Sequence, residues 1–128
     1  KYTKWRNNLT PYDIQGYEQL PKKGDLLIIT KSLKDVMCLY EMGYTAISPS
    51  SESTFIPDKV LKQLKKRFKR ILVCFDRDIR GVKNMRKIIL KTGLNGFLTH
   101  KKWKAKDISD AIKLNGFEII KNWLKETL

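Results

Sequence analysis

Two short apolar runs, Leu26-Leu27-Ile28-Ile29-Thr30 and Ile71-Leu72-Val73-Cys74-Phe75, constrain the fold more than any other feature of this chain. Each is short, uncharged and rich in β-prone residues, as a strand buried on both faces requires. Each leads into a segment with helical spacing. After the first run Ser32 is a candidate cap, and Leu33, Val36, Met37 and Tyr40 follow the i, i+3, i+4, i+7 pattern of one helix face up to a stop at Gly43. After the second, Val82, Met85, Ile88 and Ile89 mark another helix. Between them lie a short strand from Tyr44 to Ser48, a polar loop from Ser50 to Thr54, and a helix opened by Pro57. Val60, Leu61, Leu64 and Phe68 form the expected buried face of that helix, with a lysine-rich outer face. Gly96 to Thr99 reads as a fourth strand, followed by helical segments at Ile108–Leu114 and Phe117–Leu128. The order predicts an α/β fold, a mostly parallel four-stranded sheet flanked by helices. Residues 1–24 are polar and aperiodic, an irregular lead-in to a domain over 25–128.

The second apolar run ends abruptly in Asp76-Arg77-Asp78. Open parallel sheets place their ligand sites beyond such strand tips. Two carboxylates one residue apart repel each other unless a divalent cation joins them, and magnesium takes one or two carboxylates alongside water or phosphate oxygens. A helix cap is the competing role, since Asp is a favoured N-cap residue and a helix begins near Gly81.

The chain has 128 residues, 41% hydrophobic and 31% charged, which fits one globular domain with a real core. No apolar run approaches the length of a membrane helix. Cys38 and Cys74 fall in expected regular elements, which suggests reduced thiols and a cytoplasmic setting. The first residue, Lys1, is not Met, so the sequence reads as a segment of a longer protein. Lysine and arginine number 27 against 13 acidic residues, a net charge of +14 that favours a polyanionic partner, nucleic acid before membrane. His100 is the only histidine, which argues against His-based metal or triad chemistry. Trp103, inside the basic stretch Lys101–Lys106, can stack on a base or anchor to the core. Asp110 reads as a helical surface acid.

The sequence resembles the TOPRIM domain of DnaG-type primases, topoisomerases and some nucleases. "CFDRDIRGVKN" is similar to that family's strand followed by Asp-x-Asp-x-x-Gly and carries Asp76, Asp78 and Gly81. "LLIITKSLKDVMCLYEMGYTAIS" resembles its first strand and helix, with Asp35 at the helix aspartate. "KAKDISDAI" resembles a later Lys-Asp segment of the primases, matching at Lys106 and Asp107, and "KWRNN" their basic segment, at Lys4 and Asn7. The resemblance implies a Rossmann-like TOPRIM fold preceded by an upstream primase-like subdomain. It implies Mg²⁺ or Mn²⁺ at Asp76 and Asp78, and a nucleotidyltransferase that makes RNA primers on single-stranded DNA from nucleoside triphosphates. A phage-like replication system, with a replicative helicase as partner and the bacterial or phage-infected cytoplasm as location, goes with it.

One departure stands out. The family carries a glutamate directly after its first strand, and here Lys31-Ser32 hold that place. Either Glu52, beyond the second strand, supplies the missing carboxylate with Asp35, or catalysis is lost, or Lys31 contacts phosphate as a point charge. Lys31, Lys34, Arg77, Arg80 and Lys83 are the expected phosphate or nucleotide contacts. A TOPRIM nuclease and a binding module without chemistry remain alternatives. A haloacid-dehalogenase phosphatase also uses Asp-x-Asp, but the motif there follows the first strand and runs on to Thr, whereas Ile79-Arg80 follow here.

Overall fold

A computed structural model describes residues 10–50 and 54–128. Four strands form one sheet, β1 (Gly24–Thr30), β2 (Thr45–Ile47), β3 (Phe68–Cys74) and β4 (Asn95–Gly96), ordered β2-β1-β3-β4 with every pairing parallel. Five α-helices flank it: α1 (Leu33–Glu41), α2 (Asp58–Arg67), α3 (Ile79–Thr92), α4 (Ile108–Asn115) and α5 (Phe117–Thr127). The α/β architecture expected from the apolar runs is the one observed.

The pleat of β1 sorts its side chains to two cores. Leu27 and Ile29 join Leu61 and Leu64 of α2 and Met85 of α3 on one face. Ile28 joins Val36 and Leu39 of α1, Ala111 of α4, and Ile120 and Leu124 of α5 on the other. Each such fully buried aliphatic side chain stabilises the fold by roughly 1.5–3 kcal/mol. Truncating Ile28, which has no exposed surface, to alanine would cost about 2–5 kcal/mol.

The expectations differ from the structure at two strand boundaries. Phe68, expected on a helix, begins β3 immediately after Arg67 ends α2. Its cross-strand partner is Gly24, and a Cβ there would lie 2.8 Å from the Phe68 ring. The missing side chain makes room for the aromatic, so strand pairing overrides helical spacing. The fourth strand is only Asn95–Gly96, not Gly96–Thr99. Past it, buried Thr99 donates its hydroxyl to the Ala105 carbonyl at 2.7 Å, closing a loop around a 3-10 turn at Lys101–Trp103. The described part of the lead-in bridges Gln15 to Ser48 beside β2, with Ile14, Tyr17 and Leu20 against the α2/α3 core.

The chain leaves β1 toward α1 on one face and leaves neighbouring β3 toward α3 on the other. Adjacent strand tips whose connections diverge open a crevice, the usual ligand position in parallel sheets. Among the described residues no helix is long and apolar enough to cross a membrane.

Candidate metal centre and basic groove

Three carboxylates meet in that crevice. Oxygens of Asp35, Asp76 and Asp107 all lie within 4.8 Å of one another. Asp76 follows the β3 tip. Asp35 sits in the first turn of α1, where its backbone N–H donates to the Ser32 Oγ cap at 3.2 Å. Asp107 caps α4, accepting from the Asp110 backbone N–H at 2.8 Å and the Ser109 hydroxyl at 3.0 Å. Arg77 ties the α4 approach to the β3 tip: its backbone N–H donates to the Lys106 carbonyl and its Nε to the Thr99 carbonyl, both at 2.6 Å.

Asp35 is 2% exposed. Burial drives its pKa from 3.8 up to about 6, and the Asp107 charge adds to the rise. The Ser109 backbone N–H at 2.9 Å and the Thr30 hydroxyl at 3.3 Å hold the ionised form and limit it. Burial also raises the Asp76 pKa, with Asp107 and Asp78 adding to the shift and Lys106 and Lys31 opposing it. A buried carboxylate facing two others fits a hard divalent cation, and an all-oxygen donor set suits magnesium or manganese over softer metals. The residues therefore fit the expected ion.

Asp78 has a different position. Its Oδ1 accepts from the Gly81 backbone N–H at 2.7 Å, the N-cap of α3, while the residue stays exposed at the rim of the same crevice. Gly81 is required for this turn, because a Cβ there would overlap the Asp76 carbonyl oxygen. Lys31, Arg80 and Lys106 line the crevice beside Asp76, Asp78 and Asp107. The Lys31 ammonium lies over the Phe75 ring, 5.0 Å from its centroid. Lys34 is exposed on α1, and Lys83 is exposed on another side of α3. Lys4, Asn7 and Glu52 lie outside the described residues.

The crevice opens into a groove of about 700 Å³, which shares Lys31, Arg80 and Asn84 with it. One wall is α3, presenting Arg80, Asn84, Lys87 and Lys91 at helical spacing; the rest includes Phe55 and Phe75, edge to face at 6.3 Å. The sequence reading did not single out Lys87, Lys91 or Phe55. The signal for the two lysines was a helical stripe from Arg80, basic at i, i+7 and i+11 with Asn84 at i+4; Phe55 had none. Trp103 packs edge-on against Trp123, 6.0 Å between centroids, and so anchors the 3-10 turn to α5. His100 caps that turn, accepting from the Lys102 backbone N–H at 3.1 Å.

The Toprim-like family matches residues 28–112, a span that includes all three clustered aspartates. The chain belongs to the Toprim-like family. Among solved structures, this Toprim-like chain is similar to the primase fragment of the bacteriophage T7 primase-helicase protein. The TM-score is 0.59 at 19% identity, covering 87% of this chain and 47% of that one. It is also similar to a chain in the structure of bacteriophage T7 lagging-strand DNA polymerase with primase domains bound to an RNA/DNA hybrid and dTTP. There the TM-score is 0.56 at 18% identity, covering 85% of this chain and 56% of that one. The chain thus spans about half the length of the solved structures it matches, and the likeness is one of fold. No curated protein matches it in sequence.

Proposed function

We propose that this Toprim-like domain is the metal-dependent nucleotidyl-transfer core of a DNA primase, joining ribonucleotides on a single-stranded DNA template. One observation carries the reading: an acid cluster at the sheet's switch point opens directly into a basic, aromatic-walled groove. Phosphoryl and nucleotidyl transfer need that juxtaposition, with acids for the cation and bases for the phosphates. Asp35, Asp76 and Asp107 would hold Mg²⁺ or Mn²⁺, with Asp78 at its rim; the ion when bound supplies positive charge at the phosphorus under attack. Lys31 and Arg80 orient the triphosphate, and Lys87 and Lys91 hold the strand leaving the site. Glu52 is the proposed source of the carboxylate that Lys31 displaces, a base for the attacking hydroxyl. Lys4 and Asn7 are proposed nucleotide contacts. The fold shared with the T7 primase fragment supports the primase reading, and the reaction product separates it from a nuclease. A replicative helicase partner and a place in the cytoplasm of a bacterial host or phage-infected cell follow from it.

The test is primer synthesis from ribonucleoside triphosphates on single-stranded DNA with Mn²⁺, by the full protein that carries this domain. Synthesis should fall by at least a hundredfold in Asp76→Asn, while DNA affinity at low salt stays within about threefold. Cleavage of the template instead of extension would establish a nuclease. Lys31 itself favours a second reading, a binding module without chemistry, which template-dependent synthesis by the wild type would eliminate.

A further inference from the structure

The lysine-rich outer face of α2 has no part in the site described so far, yet its end meets the end of the groove. α2 and α3 pack on the same face of the sheet. Arg67 ends α2 and Phe68 begins β3, so this end of the helix lies at the sheet edge where the strands start, opposite the acid cluster. There the Lys65 ammonium donates to the Thr92 carbonyl at 3.0 Å, one residue past Lys91 of the groove wall. Beside that contact lies a second hollow of about 540 Å³.

The second hollow is built from cations. Lys23, Lys65, Lys66 and Lys69, all exposed, line it against one acid among the described residues, Asp25. Lys69 reaches Asp25 at 3.4 Å, with side chains 82% and 88% exposed, and so open a pair neutralises little. Lys23, Lys65 and Lys66 pair with no carboxylate among the described residues, and residues 1–9 contain no acid. Arg67 fixes the arrangement. Its Nε donates to the Lys22 carbonyl at 3.2 Å and its Nη2 to the Pro21 carbonyl at 2.7 Å, which holds Lys23 beside the end of α2. Cations in a last helical turn complement the helix dipole, but that effect is confined to the turn, and Lys23 and Lys69 lie outside it.

Like charges gathered in one hollow attract a partner that carries a row of negative charges. A protein partner would also need an apolar anchor. Among the described residues that line the hollow, the one apolar side chain is Phe68, itself 3% exposed. Nucleic acid needs no such anchor, because phosphate contacts alone supply its affinity.

We propose that this sheet edge is a second nucleic-acid contact, where Lys23, Lys65, Lys66 and Lys69 hold phosphates of the single strand that runs past Lys91. The inference rests on the nucleic-acid reading above and extends the path of the strand to the far edge of the sheet. Lys65 serves while bonded to Thr92, since an ammonium has three donors.

The experiment maps lysine acetylation by mass spectrometry on the full protein that carries this domain, with an oligothymidylate of about 20 nucleotides at low salt. At one oligonucleotide per chain, Lys23, Lys65, Lys66 and Lys69 should be protected several-fold, together with Lys87 and Lys91. Separately, Lys65→Gln, Lys66→Gln and Lys69→Gln combined should flatten the log–log salt slope by about 2 and weaken binding near 0.1 M salt roughly tenfold or more. Protection of the groove lysines alone, or an unchanged slope in the triple variant, would overturn this inference and leave the proposed function standing. Protection of the four lysines only by a second oligonucleotide would overturn the continuous path. Protection by polyglutamate and not by oligothymidylate would assign the edge to an acidic protein and overturn it as well. Wild type that shows the joint protection but cleaves the template would leave this inference standing and overturn the primase reading. No salt-dependent binding by wild type would overturn both.

Discussion

Asp35 is a carboxylate that folding pushes into an unfavourable place, and the cost can be read as a pH dependence. Its pKa is raised to about 6 from an ordinary 3.8, so between those values the folded chain binds more protons than the unfolded one. Without metal, the stability this group contributes is full below about pH 4 and is lost as pH rises through about 6. Asp35→Asn keeps an acceptor for the Ser109 N–H and removes the charge. In metal-free protein at pH 7.5 it should raise stability by up to about 3 kcal/mol, seen as a higher melting temperature and a flatter pH profile. With saturating Mg²⁺ the order should invert, because the cation stabilises only the chain that binds it. Gly81→Ala is the opposite case, a loss with no charge involved. The added methyl would overlap the Asp76 carbonyl oxygen, and urea unfolding should show a destabilisation of about 1–3 kcal/mol with weakened Mn²⁺ binding.

At the scale of elements, α3 begins with a residue that has two candidate roles, cap and ligand. Asp78→Asn preserves an N-cap acceptor, so its melting temperature should match wild type, whereas Asp78→Ala should lose about 1 kcal/mol. Manganese affinity should fall less in Asp78→Asn than in Asp76→Asn. Much of this arrangement is legible in the sequence. A buried-strand run ending in acids announces Asp76 without any tertiary information, and the helical spacing after each apolar run predicts α1 and α3. Asp107 is harder to place, because its approach depends on the 3-10 turn, the Thr99 hydroxyl and the Arg77 tie to Lys106, and none of these leaves a periodic trace. Phe68 misleads for a related reason: it stands four residues after Leu64 as a helical neighbour would, and only its pairing opposite Gly24 makes it a strand. Arg77, expected at a phosphate, has its Nε on the Thr99 carbonyl; Arg77→Lys should loosen the 99–107 segment and weaken Mn²⁺ binding through Asp107.

Across the whole molecule, the +14 charge has a direction, since Lys31, Arg80, Lys87 and Lys91 line one groove that leaves the acid cluster. From Arg80 to Lys91 the helix rises roughly 16 Å, enough to meet several phosphates of an extended strand. Single-stranded DNA affinity should fall linearly in log–log salt, and Lys87→Ala with Lys91→Ala should flatten that slope by about 1.4. The acid cluster also has an order in the chain: Asp35 comes from the first helix, Asp76 from the third strand, and Asp107 from the C-terminal helix pair. That pair is held by Ile108, Ala111, Ile120 and Leu124 in the core shared with α1, and by the Ser109 N–H on Asp35. A cation shared by the three aspartates would act as a clasp between that pair and the rest of the sheet, raising the cost of its local opening. Amide hydrogens of α5, a helix that contributes no ligand, should then exchange with solvent more slowly when Mg²⁺ is added, and Asp107→Asn should erase that protection.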